Sequence, residues 1–142
     1  HNLLAVGTHD KFVFDKIVEA HGHYPKDTAR LKPTEAEILK YYNNVFAAYK
    51  IIFANIMYEV CGKLNCDYTT VKDAFVKFGR CKDTYLDVNE NLKGYGGMCL
   101  PKDVKAMTKL LEKLDIDFDT FKSIDSDNSK LKTTVFNGMR KQ

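Results

Sequence analysis

A glycine-rich segment that ends in charged residues could do covalent chemistry. Residues 94–103 read Gly-Tyr-Gly-Gly-Met-Cys-Leu-Pro-Lys-Asp. Glycine permits positive φ angles and a close approach of the backbone to a ligand, and Pro101 suits the first turn of a helix. Cys99 is therefore predicted to lie just before a helix N-terminus, where the helix dipole favours the nucleophilic thiolate.

The charged residues after Cys99 fit the same interpretation. Lys102 adds local positive charge, and Asp103 falls in the first helical turn, from which it can point back toward the sulfur. The alternative is structural: a single Cys is often a small buried hydrophobe, and an acid in the first turn simply favours the dipole. Spacing alone leaves both interpretations open.

A second polar pair lies in an apolar stretch. Lys40 and Asn44 are four residues apart and share one face of a predicted helix. Polar groups are costly in such surroundings unless they are paired or solvated. They either line a pocket as a cationic, hydrogen-bonding pair or make ordinary structural contacts with the ammonium reaching solvent. The apolar neighbours are Ile38, Leu39, Tyr41, Tyr42 and Val45.

One long helix is predicted to position Lys40 and Asn44. Thr34 and Glu37 have capping-box spacing, and no Pro or Gly follows until Gly62, so a helix is expected over residues 35–63. Apolar residues surround most of its circumference, which is typical of a helix buried on all sides. In so small a domain, one side is expected to contact a partner subunit.

Shorter elements are expected on either side. Residues 3–6 read as a strand, 12–20 as a helix and 23–33 as a loop, which leaves the strand without a partner. Beyond the long helix, residues 67–77 and 101–114 read as amphipathic helices separated by a loop. A last helix or broken pair is predicted from apolar residues at Phe118, Phe121, Ile124, Leu131, Val135 and Met139.

Composition excludes several classes of protein. Of 142 residues, 44% are hydrophobic and 29% charged, as in ordinary globular proteins. The sequence contains no run of 18 or more apolar residues, so no membrane-spanning helix is expected. The net charge is only +3, with lysines interspersed among acids, so nucleic-acid binding is not expected. Four cysteines without a C-x-x-C pair favour a reducing, cytoplasmic compartment. The first residue is His, so the chain is expected to be a piece of a longer protein.

No metal site is expected. Asp115, Asp117 and Asp119 have the spacing of a calcium loop, but Thr120 and Ser126 stand where that loop needs Gly and Glu. The histidines near the N-terminus lack a matching set of Cys or carboxylate ligands.

Two motifs together resemble the central domain of the UDP-glucose/GDP-mannose dehydrogenase family. Residues 34–46 resemble the family's A-E-x-x-K-x-x-x-N-x-F helix, and residues 96–103 resemble its G-G-x-C-[FL]-P-K-D signature. Residues 3–20 resemble the last strand and helix of its NAD-binding domain. The motifs occur in the family's order, which makes the match specific.

The resemblance implies an enzyme that oxidises the C6 alcohol of a nucleotide sugar to a carboxylate in two NAD-dependent steps. Cys99 would hold the sugar carbon as a thiohemiacetal and then as a thioester. Lys40 and Asn44 would stabilise the developing oxyanion, and Asp103 would assist the water that hydrolyses the thioester. The substrate-binding residues would be Gly94, Tyr95, Gly96, Gly97 and Lys102.

The resemblance also implies a cofactor, partners and a location. NAD would be bound mainly by a domain absent from this chain, which has no G-x-G-x-x-G fingerprint, so the isolated chain is expected to be inactive. The whole protein would be a cytoplasmic homodimer, paired through the long helix, that acts in polysaccharide biosynthesis. UDP-glucose, GDP-mannose and an N-acetylated sugar are all candidate substrates, because the selecting residues lie mostly elsewhere.

The fold implied is all-α. One long central helix is packed by shorter helices, as in the C-terminal domain of 6-phosphogluconate dehydrogenase, with a strand–helix remnant of the NAD-binding domain at the N-terminus. Residues 1–30 would be that remnant and a linker. Residues 31–142 would be the dimerisation domain that carries the catalytic cysteine.

One segment departs from the family pattern. An R-I-G stretch, whose Arg can reach a neighbouring subunit's substrate, is replaced here by Asp-Thr-Tyr-Leu-Asp at residues 83–87, and Arg80 is out of register. Met98 and Leu100 replace the commoner Ser and Phe. The altered stretch favours an alternative function, a non-catalytic dimerisation module. Retention of the four predicted catalytic residues favours the enzyme.

Overall fold

The computed structural model describes residues 2–131, which form two β-strands and five α-helices. This mainly helical arrangement with one long helix confirms the predicted fold class. Val135 and Met139, predicted to be helical, lie outside the described residues. In chain order the elements are β1 (Leu3–Gly7), α1 (Lys11–His21), β2 (Asp27–Leu31), α2 (Pro33–Lys63), α3 (Tyr68–Lys77), α4 (Leu100–Lys113) and α5 (Thr120–Lys130).

The chain divides into two compact units, with the boundary inside α2 between Asn43 and Asn44. The N-terminal unit contains β1, α1, β2 and the first part of α2. The C-terminal unit contains the remainder of α2 and helices α3 to α5. The predicted domain boundary after residue 30 stays a prediction.

The strand at the N-terminus has a partner. β1 pairs in parallel with β2, so that Leu3 lies opposite Asp27 and Gly7 opposite Leu31. The loop predicted over residues 23–33, and with it the isolated strand, was therefore wrong. β2 reads Asp-Thr-Ala-Arg-Leu and has no buried residue, so its sequence lacks the apolar alternation that marks a half-buried strand.

The start of α2 also differs from the prediction. The helix begins at Pro33, whose fixed φ and missing N–H suit the first helical position. Glu35 accepts a hydrogen bond from the Lys32 backbone N–H at 2.8 Å. Glu35 thus bonds the backbone N–H three residues before it, as Glu37 was expected to do for Thr34; because the helix already begins at Pro33, the Thr34–Glu37 capping box was wrong.

The core of the C-terminal unit lies between α2, α4, α5 and the loop before α4. Val104 is fully buried, and Leu100 and Met107 of the same helix pack against the cluster. Burial of such apolar side chains is the main favourable term in folding. The buried residues of the cluster are Val45, Ala48, Ile52, Tyr95, Val104 and Ile124.

Helix α2 is long and apolar enough to cross a membrane by length and composition alone. Its Val45, Ala48 and Ile52 nevertheless pack into the core of the C-terminal unit, as the residues of a core helix do. The same stretch also carries large apolar side chains that are 41–51% exposed. We call this set, spaced by three and four residues, the α2 stripe: Phe46, Tyr49, Phe53, Ile56 and Val60.

Candidate functional site

Cys99 lies at the N-cap position of α4, as predicted. The backbone N–H of Asp103 donates to the Cys99 carbonyl oxygen at 2.9 Å, which closes the first turn of the helix. Pro101 lies in that turn, and no side chain caps the helix. The side chain of Cys99 is exposed, so its thiol is accessible beside the positive end of the helix dipole.

The carboxylate of Asp103 is fully buried and connects two helices. Its Oδ2 accepts a hydrogen bond from Asn44 Nδ2 of α2 at 2.6 Å. Its Oδ1 lies 2.6 Å from the Lys102 ammonium. A buried carboxylate is tolerated when charged and hydrogen-bonding groups satisfy it. The fold thus brings together Asn44, Lys102 and Asp103 from the two sequence motifs.

The glycine loop, residues 94–97, precedes Cys99. Gly94 and Gly97 have φ angles of 75° and 78°, which a side chain would strain. Between them the ring of Tyr95 is buried in the core, and its backbone hydrogen-bonds to Asn128 of α5. Burial raises the pKa of the Tyr95 phenol, and the nearby charge of Asp125 adds to this.

The predicted substrate-binding residues of this loop thus have different surroundings. Gly94, Gly96 and Gly97 are half-buried, whereas the Tyr95 side chain belongs to the core. A role for these residues in substrate binding stays a prediction.

Lys40, the remaining predicted catalytic residue, lies in the N-terminal unit. It is exposed on α2, one helical turn before Asn44. Its ammonium lies 4.9 Å from the centre of the Tyr41 ring, within the range of a cation–π contact. Its part in the site stays a prediction.

The segment that departs from the family pattern, residues 83–87, is held at several points. Lys72 of α3 is buried and contacts Asp87 at 2.7 Å and Asp83 at 3.0 Å. Hydrogen bonds to Asp87 and then Asp83 raise the pKa of the Lys72 ammonium. Tyr85, at the turn, has a φ of 69° and an exposed ring. The two aspartates therefore serve an internal ion pair.

Two of these interactions were missed by sequence reasoning. Lys72 and Asn128 belong to neither motif, and each contact joins residues that are distant in the chain. Lys72 and Asp87 have opposite charges, which gives only a weak signal in a chain with many such pairs. For Asn128 the sequence offered no signal.

The arrangement suits covalent chemistry at an electrophilic carbon. An exposed thiol lies at a helix N-terminus, and the next helical turn holds a buried carboxylate bonded to an amide and an ammonium. Such a thiol can act as a nucleophile, while preorganised donors stabilise developing negative charge. Within residues 2–131, no group of three or more His, Cys, Asp or Glu residues has an arrangement that could hold a metal ion.

Comparisons with known proteins identify relatives of this chain. The model of the UDP-glucose/GDP-mannose dehydrogenase family, central domain, matches residues 34–130. The chain is 28% identical over 121 residues to UDP-glucose 6-dehydrogenase YwqF of Bacillus subtilis, covering 85% of this chain and 27% of that protein. It is 29% identical over 131 residues to GDP-mannose 6-dehydrogenase of Pseudomonas aeruginosa, covering 89% of this chain and 29% of that protein.

A solved structure has the same fold. A UDP-glucose dehydrogenase from the hyperthermophilic archaeon Pyrobaculum islandicum superposes with a TM-score of 0.81 at 28% identity, over 91% of this chain and 29% of that one. The chain thus spans less than a third of the length of these relatives. Because the family match extends over most of the chain, the protein belongs to the UDP-glucose/GDP-mannose dehydrogenase family and contains its central domain.

Proposed function

We propose that this chain is the nucleophile-bearing part of a nucleotide-sugar dehydrogenase that oxidises a sugar C6 alcohol to a carboxylate. The contact that carries the proposal joins Asn44 to the buried carboxylate of Asp103, one helical turn beyond Cys99. These three residues come from two motifs that are remote in sequence. A structural role for Cys99 alone would not need the carboxylate and amide to be buried and paired beside it.

The thiol of Cys99 is the proposed covalent group. Its sulfur adds to the C6 aldehyde formed by the first oxidation and gives a thiohemiacetal. Loss of a hydride from the C6 carbon, together with loss of the hydroxyl proton to solvent, gives a thioester. Water then attacks the thioester carbon, which releases the carboxylate and returns the thiol. Covalent attachment keeps the aldehyde bound between the two oxidations.

The groups near Cys99 are proposed to stabilise the oxyanion and to assist the attacking water. Asn44 donates an amide N–H to Asp103, which fixes the direction of its amide group, and that amide is proposed as a donor to the oxyanion. Lys40, on the same helix, is proposed as a second donor. Asp103 orients Asn44 and Lys102, and it assists the attacking water when the thioester is hydrolysed.

The hydride acceptor is proposed to be NAD, which takes up one hydride in each oxidation when it is bound to the whole protein. This chain has no G-x-G-x-x-G fingerprint for the phosphates of a dinucleotide. NAD is therefore proposed to bind mainly outside this chain.

The α2 stripe is proposed as the contact surface between two copies of the chain. Its spacing of three and four residues is that of the apolar seam between paired helices. Side chains of this size are costly to expose together, and contiguous apolar patches mark interaction sites. The whole protein is therefore proposed to be a homodimer that meets through α2.

Location and pathway follow from the same proposal. The four cysteines are free thiols, as expected in the reducing cytoplasm. Sugar acids on nucleotide carriers are precursors of acidic polysaccharides, so a role in polysaccharide biosynthesis is proposed. The candidate substrates are UDP-glucose, GDP-mannose and an N-acetylated nucleotide sugar.

The second candidate is a non-catalytic dimerisation module. It is favoured by the ion pairs of Asp83 and Asp87 with Lys72, which use the altered segment for internal contacts. This module would keep the α2 stripe and the core, and it would not turn over substrate.

Substrate oxidation by the complete protein separates the two candidates. The protein is incubated with NAD and one nucleotide sugar at a time: UDP-glucose, GDP-mannose or an N-acetylated counterpart of either. The amounts of NADH and of sugar acid formed are measured in the same reaction. The enzyme predicts two NADH for each molecule of acid with one of the nucleotide sugars. Absence of NADH and acid with UDP-glucose, GDP-mannose and their N-acetylated counterparts would favour the module.

A further inference from the structure

Asn128 makes two hydrogen bonds with the backbone of one residue in the glycine loop. Its Oδ1 accepts from the Tyr95 N–H at 2.7 Å, and its Nδ2 donates to the Tyr95 carbonyl oxygen at 2.9 Å. Both bonds are part-buried, so loss of either would leave a backbone group poorly solvated. Asn128 is itself held in place, because Ile124 of the same helix is buried in the core.

The loop needs an external constraint. Gly94, Gly96 and Gly97 can each adopt many conformations, so these residues do not determine the path of the chain by themselves. Tyr95 is fixed in two ways, by its ring in the core and by its backbone at Asn128. Cys99 follows only four residues later. The placement of its sulfur therefore depends on where Tyr95 is held.

We propose that Asn128 is a positioning residue for Cys99. By holding the backbone of Tyr95, it fixes the glycine loop and so sets where the sulfur lies relative to Asp103 and Asn44. The catalytic consequence rests on the proposed function. The conformational claim, that Asn128 holds the loop, does not.

Three variants of the complete protein test this inference. Asn128→Ala removes both hydrogen bonds. Asn128→Asp keeps an acceptor for the Tyr95 N–H, but when ionised it sets a carboxylate oxygen against the Tyr95 carbonyl. When protonated, the carboxyl group has both a donor and an acceptor and can restore both bonds. The control is Ser126→Ala, an exposed position on the same helix.

The first readout is hydrogen exchange at the Tyr95 amide, followed by mass spectrometry with residue-level fragmentation. Asn128→Ala is expected to increase the exchange rate about tenfold, since it removes the acceptor of that N–H. In Asn128→Asp, protection relative to wild type at the same pH is expected to increase as the pH falls through the carboxyl pKa. Ser126→Ala is expected to match wild type. Equal exchange in all four proteins would overturn the conformational claim.

The second readout is the chemistry of Cys99. In Asn128→Ala, iodoacetamide labelling of Cys99 relative to exposed Cys66 is expected to fall severalfold, and kcat about tenfold, while KM for NAD stays unchanged. Unchanged labelling and unchanged kcat per folded molecule would overturn the positioning role. If wild type shows no dehydrogenase activity, the proposed function fails, and exchange together with labelling still decides the role of Asn128.

Discussion

At the scale of single residues, Asp103 illustrates how a buried charge can prepare a site. Removing a carboxylate from water costs several kcal/mol unless partners compensate. Here the Lys102 ammonium and the Asn44 amide each contact one oxygen. The same contacts fix the direction of the Asn44 amide, so the groups that stabilise the carboxylate are also the groups proposed to act on substrate.

Burial predicts different costs for removing one member of each of two ion pairs in α4. Asp103→Ala is expected to lower the free energy of unfolding by about 1–3 kcal/mol, because it removes the acceptor of the Asn44 amide in a buried place. Lys109→Ala is expected to cost much less, since both side chains of its pair with Glu112 are exposed and the pair is screened by solvent. Urea unfolding measures both. Equal losses would contradict the expected effect of burial.

The residues with recognisable chemistry could be found from sequence, and those that hold them could not. Cys99 was predicted at the helix N-terminus because glycine, proline and acid have fixed preferences around a helix start. Asn128 was missed because its partner is a backbone, and any residue in position 95 would present the same N–H and carbonyl. Tertiary contacts of this kind leave no local pattern.

At the scale of elements, α2 carries buried and exposed apolar side chains with different roles. Ile52 is buried in the core, whereas Ile56, one turn later, is 49% exposed in the α2 stripe. The sequence predicted one helix that is apolar nearly all round, and it could not tell the buried residues from the exposed ones. Periodicity shows which residues share a face but not what covers them.

Charged substitutions should distinguish the buried residues of α2 from the exposed α2 stripe. Ile56→Glu is expected to leave the chain folded and to split the proposed dimer, because a charge in an apolar contact is costly. Ile52→Glu is expected to unfold the C-terminal unit for the same reason. Light scattering measures the mass, and circular dichroism measures helix content. A folded Ile56→Glu dimer of unchanged affinity would contradict the assignment of the stripe.

The N-cap of α3 gives a pH-dependent prediction. Asp67 accepts hydrogen bonds from the Thr70 hydroxyl at 2.6 Å and the Thr70 N–H at 2.9 Å. The Thr70 hydroxyl and then the Thr70 N–H hold the pKa of Asp67 below its usual value. A lowered folded-state pKa means that ionisation stabilises the fold above the unfolded-state pKa, and that this stability is lost as pH falls through the folded-state pKa.

Unfolding of wild type and Asp67→Ala at several pH values checks this. Wild type is expected to be the more stable protein near neutral pH, and its advantage is expected to shrink as the pH falls below about 4. Asp117→Ala, at an exposed acid in the loop between α4 and α5, is a suitable control. An advantage that stays constant across this range would contradict the cap's ionic contribution.

Local rules predicted elements better than their ends. Thr34 and Glu37 have the spacing of a capping box. However, Pro33 suits the first helical position and Glu35 accepts from the Lys32 N–H, and the helix begins at this earlier point. β2 was missed because its pairing with β1 is a long-range contact and its own residues are mostly polar. Such a strand forms because a distant segment pairs with it. The sequence of the strand itself does not reveal that pairing.

At the scale of the whole molecule, the chain carries a central domain and the proposed nucleophile but less than a third of the length of its relatives. Its N-terminal unit contains a parallel β–α–β piece but the chain has no G-x-G-x-x-G fingerprint. The proposed reaction therefore needs the complete protein, with the hydride acceptor bound mainly elsewhere. On this proposal, the covalent step and the hydrolysis of the thioester use residues of this chain.

The most direct test is the rate of sugar-acid formation by the complete protein carrying Cys99→Ala. This rate is expected to fall by more than about a hundredfold while NAD still binds, because the aldehyde can no longer be held covalently. Cys66→Ala, which removes the other exposed thiol, is the matched control and is expected to keep the wild-type rate. Acid formation by Cys99→Ala at a rate near that of wild type would contradict the account.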